Sequence, residues 1–245
     1  MADEPDLTEQ AINKLFELAL SSQLDEAKQV EVDIRTEPTK LVQGQFDSVD
    51  ISGKGMTFKQ AIRIEAIDVS TDAVTIDPLK AITGELELIQ PLNAQVKLSL
   101  TEADLNQALA SEYIRRKVQG LQIEHEGQVI TFNVEQAIVR LQEAGQMAVE
   151  TQIFLPDSGE CKSLSAIAIP SASEDGYRID MKFVSAQGEG FSLDFLVVLF
   201  NQVVELLDLR NLKLGGNSLQ LQALEVYPGK LLLQVMTRLQ HIPKV

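Results

Sequence analysis

Apolar residues recur at helical spacing in two segments of this chain. In residues 7–25, Asp6 is a candidate N-cap with Glu9 at the third helical position. The apolar face of this segment consists of Ala11, Ile12, Leu15, Phe16, Ala19 and Leu20. In residues 191–209, Ser192 is a candidate N-cap, and the polar side chains Asp194, Asn201, Glu205 and Asp208 share a narrow arc. About two thirds of that surface is therefore apolar, which predicts a long, buried helix.

Between these segments the period of the apolar residues changes to about two, which is typical of strands with one buried face. The alternating runs are Val30, Val32 and Ile34; Ile62 and Ile64; Ala94, Val96, Leu98 and Leu100; Met147, Val149, Thr151, Ile153 and Leu155; and Tyr177, Ile179, Met181 and Phe183. No long helical pattern separates most of these runs. Strands that follow one another in this way favour antiparallel hairpins and meanders.

Two stretches share a pattern in which the apolar spacing changes from three to two before a Gly-Lys pair. They are FDSVDISGKGM at 46–56 and LQALEVYPGKLLL at 221–233. Such a change predicts a β-bulge, which bends a strand and increases its twist. The SGKG sequence at 52–55 lacks the remainder of a phosphate-binding loop, so we interpret it as a turn.

Two short helices are predicted within residues 101–120. Thr101 and Asp104 have the spacing of a capping box, and Ser111 is a candidate start for the second helix, which ends near Gly120. No Gly/Ser tract or proline-rich linker interrupts the sequence, so residues 1–245 are predicted to form a single domain.

Charge and composition narrow the range of partners. The formal net charge is −15, which opposes binding to nucleic acid and simple electrostatic docking on anionic lipid. The carboxylates in 191–209 argue against a membrane-spanning helix. Cys161 is the single cysteine and is expected to be inert and partly buried. The first residues, MADEPDLTEQ, do not resemble a secretory signal, so we expect a cytoplasmic protein, with transient membrane contact as a further expectation.

Signatures of catalysis and metal binding are absent from the sequence. There is no G-x-S-x-G motif, and His125 and His241 lack the spacing of a zinc protease. No calcium-loop series is present either. We therefore expect no cofactor, no metal and no enzymatic activity, although carboxylates distant in sequence can still meet in space.

Three segments of the chain, in order, resemble a known family. They are LSSQLDEAKQVEVDIRTEPTKLVQGQFDSVDISGKGM, IDPLKAITGELELIQP and LTEADLNQALASEYIRRKVQ. Together they are similar to the cyanobacterial members of the LmeA-like phospholipid-binding family, and the likeness extends from about residue 10 to residue 235. The segments include no catalytic signature.

This resemblance implies an α+β fold related to the tubular, BPI-like lipid-binding proteins. In that fold a long helix is wrapped by a highly curved antiparallel sheet, and lipid lies between them. An actinobacterial relative is a cell-envelope protein that binds phospholipid and supports glycolipid elongation. The first residues of the present sequence do not resemble such an export signal, so we do not expect one here, and the family offers no invariant binding residues that can be transferred by position.

The expected function is non-enzymatic binding of the acyl chains of a phospholipid or glycolipid in a groove between helix 191–209 and the sheet. The residues expected to contact lipid are Phe195, Leu196, Leu199, Phe200, Val203, Leu15 and Phe16. Three alternatives remain open at this stage. These side chains fill an ordinary core, the groove or a sheet edge binds a protein partner, or the protein is an enzyme that acts on lipids through polar residues at the groove.

Overall fold

The structure is a computed structural model that describes residues 28–58, 62–82, 87–125, 127–188, 190–205, 208–211 and 216–240. The described part is rich in antiparallel sheet, as the alternating runs predict. The predicted helix at 7–25, with Leu15 and Phe16, lies outside the described residues.

The strands follow one another with short connections over most of the chain. They are β1 (Gln29–Arg35), β2 (Gln45–Phe46), β3 (Ser48–Phe58), β4 (Ile62–Thr71), β5 (Val74–Thr75), β6 (Leu92–Thr101), β7 (Leu121–His125), β8 (Gln128–Leu141), β9 (Met147–Leu155), β10 (Glu160–Ala172), β11 (Ile179–Gly188), β12 (Ser218–Tyr227) and β13 (Lys230–Leu239). Each predicted alternating run falls on a strand, except that Tyr177 precedes β11.

The helices of the described residues are short. They are α1 (Pro38–Leu41), α2 (Pro78–Ile82), α3 (Glu102–Leu109), α4 (Glu112–Lys117) and α5 (Leu193–Glu205), and a 3-10 turn spans Leu209–Asn211. The prediction of long helices is therefore wrong for this part of the chain, because α5 has only 13 residues. Beyond it, the backbone N–H of Arg210 donates to Asp208 Oδ1 at 2.8 Å, which favours a tight turn over a continued helix.

Contacts between residues divide the chain into two compact units. The first consists of Met1–Ser99, Lys213–Gln220 and Leu233–Val245, and the second consists of Leu100–Leu212 and Leu221–Leu232. The single-domain expectation for residues 1–245 stays a prediction.

In the first unit, β3 lies between β1 and β4, and β4 also pairs with β6, all antiparallel. The order of these four strands in their sheet is β1-β3-β4-β6. The core of this unit is an aliphatic cluster with one phenylalanine. Its buried members are Val32, Ile34, Phe46, Val49, Val74, Ile76 and Leu88.

The second unit contains a five-stranded antiparallel sheet with the order β11-β10-β9-β8-β7. The register shifts between Val134 and Gln136 in β8, and again between Ile167 and Ala168 in β10. Such irregularities bend strands and redirect side chains. The shift in β8 leaves Glu135 as an extra residue on that strand.

Helix α5 packs against one face of this sheet. Its first turn is capped by Ser192, whose Oγ accepts from the Phe195 N–H at 3.2 Å, as predicted. Leu196 and Leu199 are among the largest buried side chains, together with Phe132 of β8 and Ile153 of β9. A Cβ at Gly188 would lie only 2.5 Å from the Leu164 side chain and 2.9 Å from that of Leu196. The glycine therefore allows β11 and α5 to approach closely.

The predicted turn and bulge around residues 46–56 are wrong. The SGKG sequence lies within β3, whose pairs with β1 and β4 keep one constant register. The spacing of three arises instead because Asp47 separates β2 from β3. The presence of glycine at position 55 is explained by its backbone conformation, because its φ of +57° lies in the left-handed region.

The two predicted short helices are confirmed. Thr101 and Asp104 form a capping box at α3, and the Ser111 side chain caps α4. Cys161, expected to be partly buried, is exposed on β10, since alternate residues of a one-sided strand face solvent.

Candidate functional site

Half of strand β8 lacks a strand neighbour on one side among the described residues. Its pairing with β7 ends at Phe132, whereas its pairing with β9 continues to Leu141. An open strand edge leaves backbone hydrogen-bonding groups without partners unless other elements cover them. Helices α3 and α4 provide that cover.

Side chains of α3 bind the open edge directly. Asn106 Oδ1 accepts from the Val139 N–H, and Asn106 Nδ2 donates to the Val139 carbonyl, both at 2.8 Å. The Leu141 N–H donates to Glu102 Oε2, also at 2.8 Å. Because one amide side chain satisfies both backbone groups of Val139, α3 is fixed in place along this edge.

The bulge in β8 is also held by specific hydrogen bonds. Val134 pairs with Ile153 and Gln136 with Gln152, so Glu135 is the extra residue. The Val134 N–H donates to the Val118 carbonyl at 3.0 Å, and Gln119 Nε2 donates to the Val134 carbonyl at 3.0 Å. On the other side, Thr151 Oγ1 donates to the Gln136 carbonyl at 2.7 Å. These hydrogen bonds therefore fix the backbone of β8 at the bulge.

A cavity of about 410 Å³ lies among α3, α4, the bulged part of β8 and the last turns of α5. Most of its lining side chains are apolar, namely Leu109, Ala110, Ile114, Val118, Val134, Ala137, Ile138 and Val203. The remaining lining residues are Asn106, Arg115, Glu135 and Gln136. Residues 134–138, which include the bulge, all line the cavity, and Gln136 and Ile138 line the second cavity as well.

Arg115 and Glu135 place opposite charges at this otherwise apolar cavity. Both side chains are exposed, and neither forms an ion pair with a residue that the structure describes. The neighbouring cations of α4 differ in this respect. Arg116 forms an ion pair with Glu112, and Lys117 Nζ lies 5.3 Å from the centre of the Tyr113 ring.

A second cavity, of about 530 Å³, has a different lining. It is formed by residues of β8 to β11, and polar side chains predominate: Gln136, Glu150, Thr151, Gln152, Ser163, Ser165 and Gln187, with Ile138, Leu164 and Gly188. This lining carries more hydrogen-bonding side chains than that of the first cavity. Although larger, it is the poorer match for an apolar ligand.

The structure places the predicted lipid-contacting residues in two environments. Phe195, Leu196, Leu199 and Phe200 are 3%, 2%, 1% and 7% exposed and belong to the core cluster with Phe132 and Ile153. Val203 packs against the same cluster and also lines the apolar cavity. Whether any of them contacts lipid stays a prediction, and Leu15 and Phe16 lie outside the described residues.

Sequence reasoning missed most of the cavity lining. The helices that carry Leu109, Ile114 and Val118 were predicted, but nothing in their pattern distinguishes a cavity wall from a packed core. Glu135 has no local signal, because a bulge without glycine or proline depends on the pairing of β8 with β9.

A charged cluster follows the C-terminal end of α5. Arg210 Nε donates to both carboxylate oxygens of Asp208, at 3.0 and 3.1 Å, and these hydrogen bonds lower the pKa of Asp208 below its usual range. Asp175 accepts from Ser173 Oγ at 2.6 Å, which contributes most to its own lowered pKa. Glu205, the last residue of α5, lies 3.9 Å from Arg178. The cluster ties the end of the helix to the turn before β11.

Among the described residues, no helix is both long and apolar enough to cross a bilayer. The same residues contain no group of three or more His, Cys, Asp or Glu side chains arranged to hold a metal ion.

Comparison with known proteins gives one informative match. A search of curated proteins finds no significant relative. The sequence profile described as LmeA-like phospholipid-binding, however, matches residues 6–236, which is nearly the whole chain. The sequence resemblance is thereby confirmed, and the chain belongs to the LmeA-like phospholipid-binding family.

Proposed function

We propose that this protein binds a phospholipid without chemical turnover and that an acyl chain occupies the cavity beside Val203. The observation that carries this proposal is the apolar lining of the 410 Å³ cavity in a member of a phospholipid-binding family. The volume falls within the roughly 300–1,000 Å³ range of small-molecule sites. Burial of an acyl chain gains about 0.8 kcal/mol per CH2 and needs no directional partner, so aliphatic walls suffice.

In this proposal the two groups of α5 residues have different roles. Val203 contacts the chain directly, and the buried side chains from Phe195 to Phe200 hold the helix against the sheet behind it. The wider expectations from the resemblance remain part of the proposal. These are a tubular arrangement of residues 1–245, glycolipid as a second class of ligand, a cytoplasmic location and transient contact with a membrane.

Two measurements test the proposed function. Organic extraction of the purified protein followed by mass spectrometry should release phospholipid or glycolipid. A fluorescent fatty acyl probe should bind with saturation and be displaced by unlabelled phospholipid. Absence of both extractable lipid and probe binding would contradict the proposal.

A matched pair of variants on α5 locates the binding. Val203→Trp fills part of the cavity and should weaken probe binding at least about tenfold, since the bulky ring occupies the space of the chain. Val198→Trp places the same ring on the outer side of α5, where Val198 is 39% exposed and lines neither described cavity. It should leave probe binding unchanged. Equal effects of the two variants would argue against this cavity.

A further inference from the structure

We infer that Arg115 and Glu135 form a headgroup site at the mouth of the apolar cavity, selective for phospholipids whose headgroup carries a hydrogen-bond donor beyond the phosphate. This inference rests on the proposed function and adds the chemical class of the headgroup. Arg115 binds the phosphate, and the Glu135 carboxylate accepts from the donor.

The position and state of Arg115 support its role. Its side chain lines the cavity and is also exposed, so it lies where an enclosed acyl chain would meet solvent. It forms no ion pair within the described part of the chain, whereas Arg116, the next residue of α4, is paired with Glu112. A guanidinium matches the geometry of phosphate oxygens and binds them through two parallel hydrogen bonds.

Glu135 lies beside the same cavity, at the bulge in β8. It is the one residue that the β8–β9 register skips between Val134 and Gln136, and it lines the cavity together with both of these neighbours. The Val134 and Gln136 carbonyls on either side are bound by Gln119 and Thr151, which fixes the backbone there. An irregularity secured on both sides, with an unpaired carboxylate at its apex, is typical of a feature that positions a side chain for binding.

The pair of opposite charges determines which headgroups suit the site. A carboxylate beside the phosphate site repels further negative charge but accepts hydrogen bonds from an ammonium or a hydroxyl. Ethanolamine supplies an ammonium, and glycerol supplies a hydroxyl. Choline carries three methyl groups on its nitrogen and has no donor, so it meets the Glu135 carboxylate through charge alone and makes no hydrogen bond with it.

The net charge of −15 is consistent with this selectivity. A strongly acidic protein gains little from long-range attraction to anionic lipid. Recognition therefore depends on short-range contacts such as those of Arg115 and Glu135.

Displacement of the fluorescent acyl probe by monomeric dihexanoyl phospholipids tests the site. Phosphatidylethanolamine, phosphatidylglycerol and phosphatidylcholine with identical chains isolate the headgroup, and monomers avoid effects of bilayer curvature. The first two should bind at least about fivefold more tightly than the third. The ethanolamine and glycerol arms also distinguish an ammonium donor from a hydroxyl donor.

Two variants separate the roles. Arg115→Gln should weaken all three lipids by about tenfold, because each carries the phosphate. Glu135→Ala should remove the preference over phosphatidylcholine and weaken phosphatidylcholine least, because choline loses only a charge contact. Arg140→Gln and Glu150→Ala are the controls, since these residues form an exposed pair 3.7 Å apart and do not line the apolar cavity. Both controls should behave like the parent protein.

The outcomes distinguish this inference from the proposed function. If the probe binds but the three lipids displace it equally, or Glu135→Ala weakens all of them alike, the headgroup site is wrong and acyl binding stands. If the probe does not bind at all, both fail.

Discussion

The two ends of helix α5 are held in different ways, although the sequence of the helix is apolar throughout most of its length. Near the N-terminal end, Leu196 and Leu199 pack tightly against the sheet and are 2% and 1% exposed. Near the C-terminal end, Val203 faces a cavity, and Glu205 meets Arg178 beside the Asp208–Arg210 pair. Hydrophobic packing dominates at the first end, and exposed charged groups lie at the second.

This difference shows how one helix can be both structural and adaptable. A packed end fixes the position of the helix, because interiors tolerate little change in volume. The end beside the cavity has fewer packed neighbours, and in the proposed function it is the end that contacts the ligand. The following changes test the contrast, beginning with the largest effect.

Leu199→Ala should lower the free energy of unfolding by about 2–5 kcal/mol, because it opens a void in the packed end of the helix. Urea denaturation followed by circular dichroism measures the loss. Val198→Ala is the matched control on the same helix, and since Val198 is 39% exposed it should change stability by less than about 0.5 kcal/mol. Equal, small effects would show that the N-terminal end is not tightly packed.

Thr151→Val should cost about 1 kcal/mol of stability by removing the hydrogen bond to the Gln136 carbonyl, at nearly constant side-chain volume. Its larger consequence should be functional, because the bulge then loses one of its supports. We expect weaker acyl-probe binding, measured by fluorescence titration. Thr131→Val on β8, the strand that carries the bulge, is the control, since no hydrogen bond joins the Thr131 side chain to a described residue. Unchanged probe affinity in Thr151→Val would separate the bulge from the binding site.

Asp208→Asn should destabilise the protein at neutral pH and have little effect in strong acid. Hydrogen bonds from Arg210 lower the pKa of Asp208 in the folded protein. The carboxylate therefore contributes stability above its unfolded pKa, and this contribution is lost as the pH falls through the lowered folded value. Thermal melts between pH 7 and pH 2 should show the two proteins converge.

Asp180→Asn provides the control for this pH dependence, because Asp180 is exposed on β11 and forms no ion pair within the described residues. Its melts should follow those of the parent protein at every pH. If the difference in melting temperature between Asp208→Asn and the parent protein persists unchanged at pH 2, the charge of Asp208 is not what holds this end of α5.

Local sequence signals predicted the elements that depend on local physics. The Thr101–Asp104 capping box, the Ser192 cap and the alternating strands were predictable, because each is determined by neighbouring residues. The structure of the SGKG stretch was not predictable in this way. Its glycines suggest a turn, but pairing with β1 and β4 on both sides keeps it in a strand. Tertiary hydrogen bonding overrode local propensity there.

The candidate site was less predictable than the fold. Val203 was identified from the apolar surface of its helix, but the same pattern also selected Leu196 and Leu199, which are core residues. The periodicity of apolar residues predicts which side chains face away from water. It does not predict whether such a side chain contacts a packed neighbour or an open cavity. Arg115 and Glu135 are charged residues among many, and only the bulge and the covering helices bring them to one cavity.

The most direct test of the central claim is photo-crosslinking with a phospholipid that carries a diazirine near the end of one acyl chain. After irradiation, digestion and mass spectrometry, we predict labels on α3 and α4, on residues 134–138 and at Val203. Labels confined to the polar cavity, at Glu150, Gln152 and Ser163, or an absence of specific labelling in protein that binds the lipid, would contradict the placement of the acyl chain beside α5.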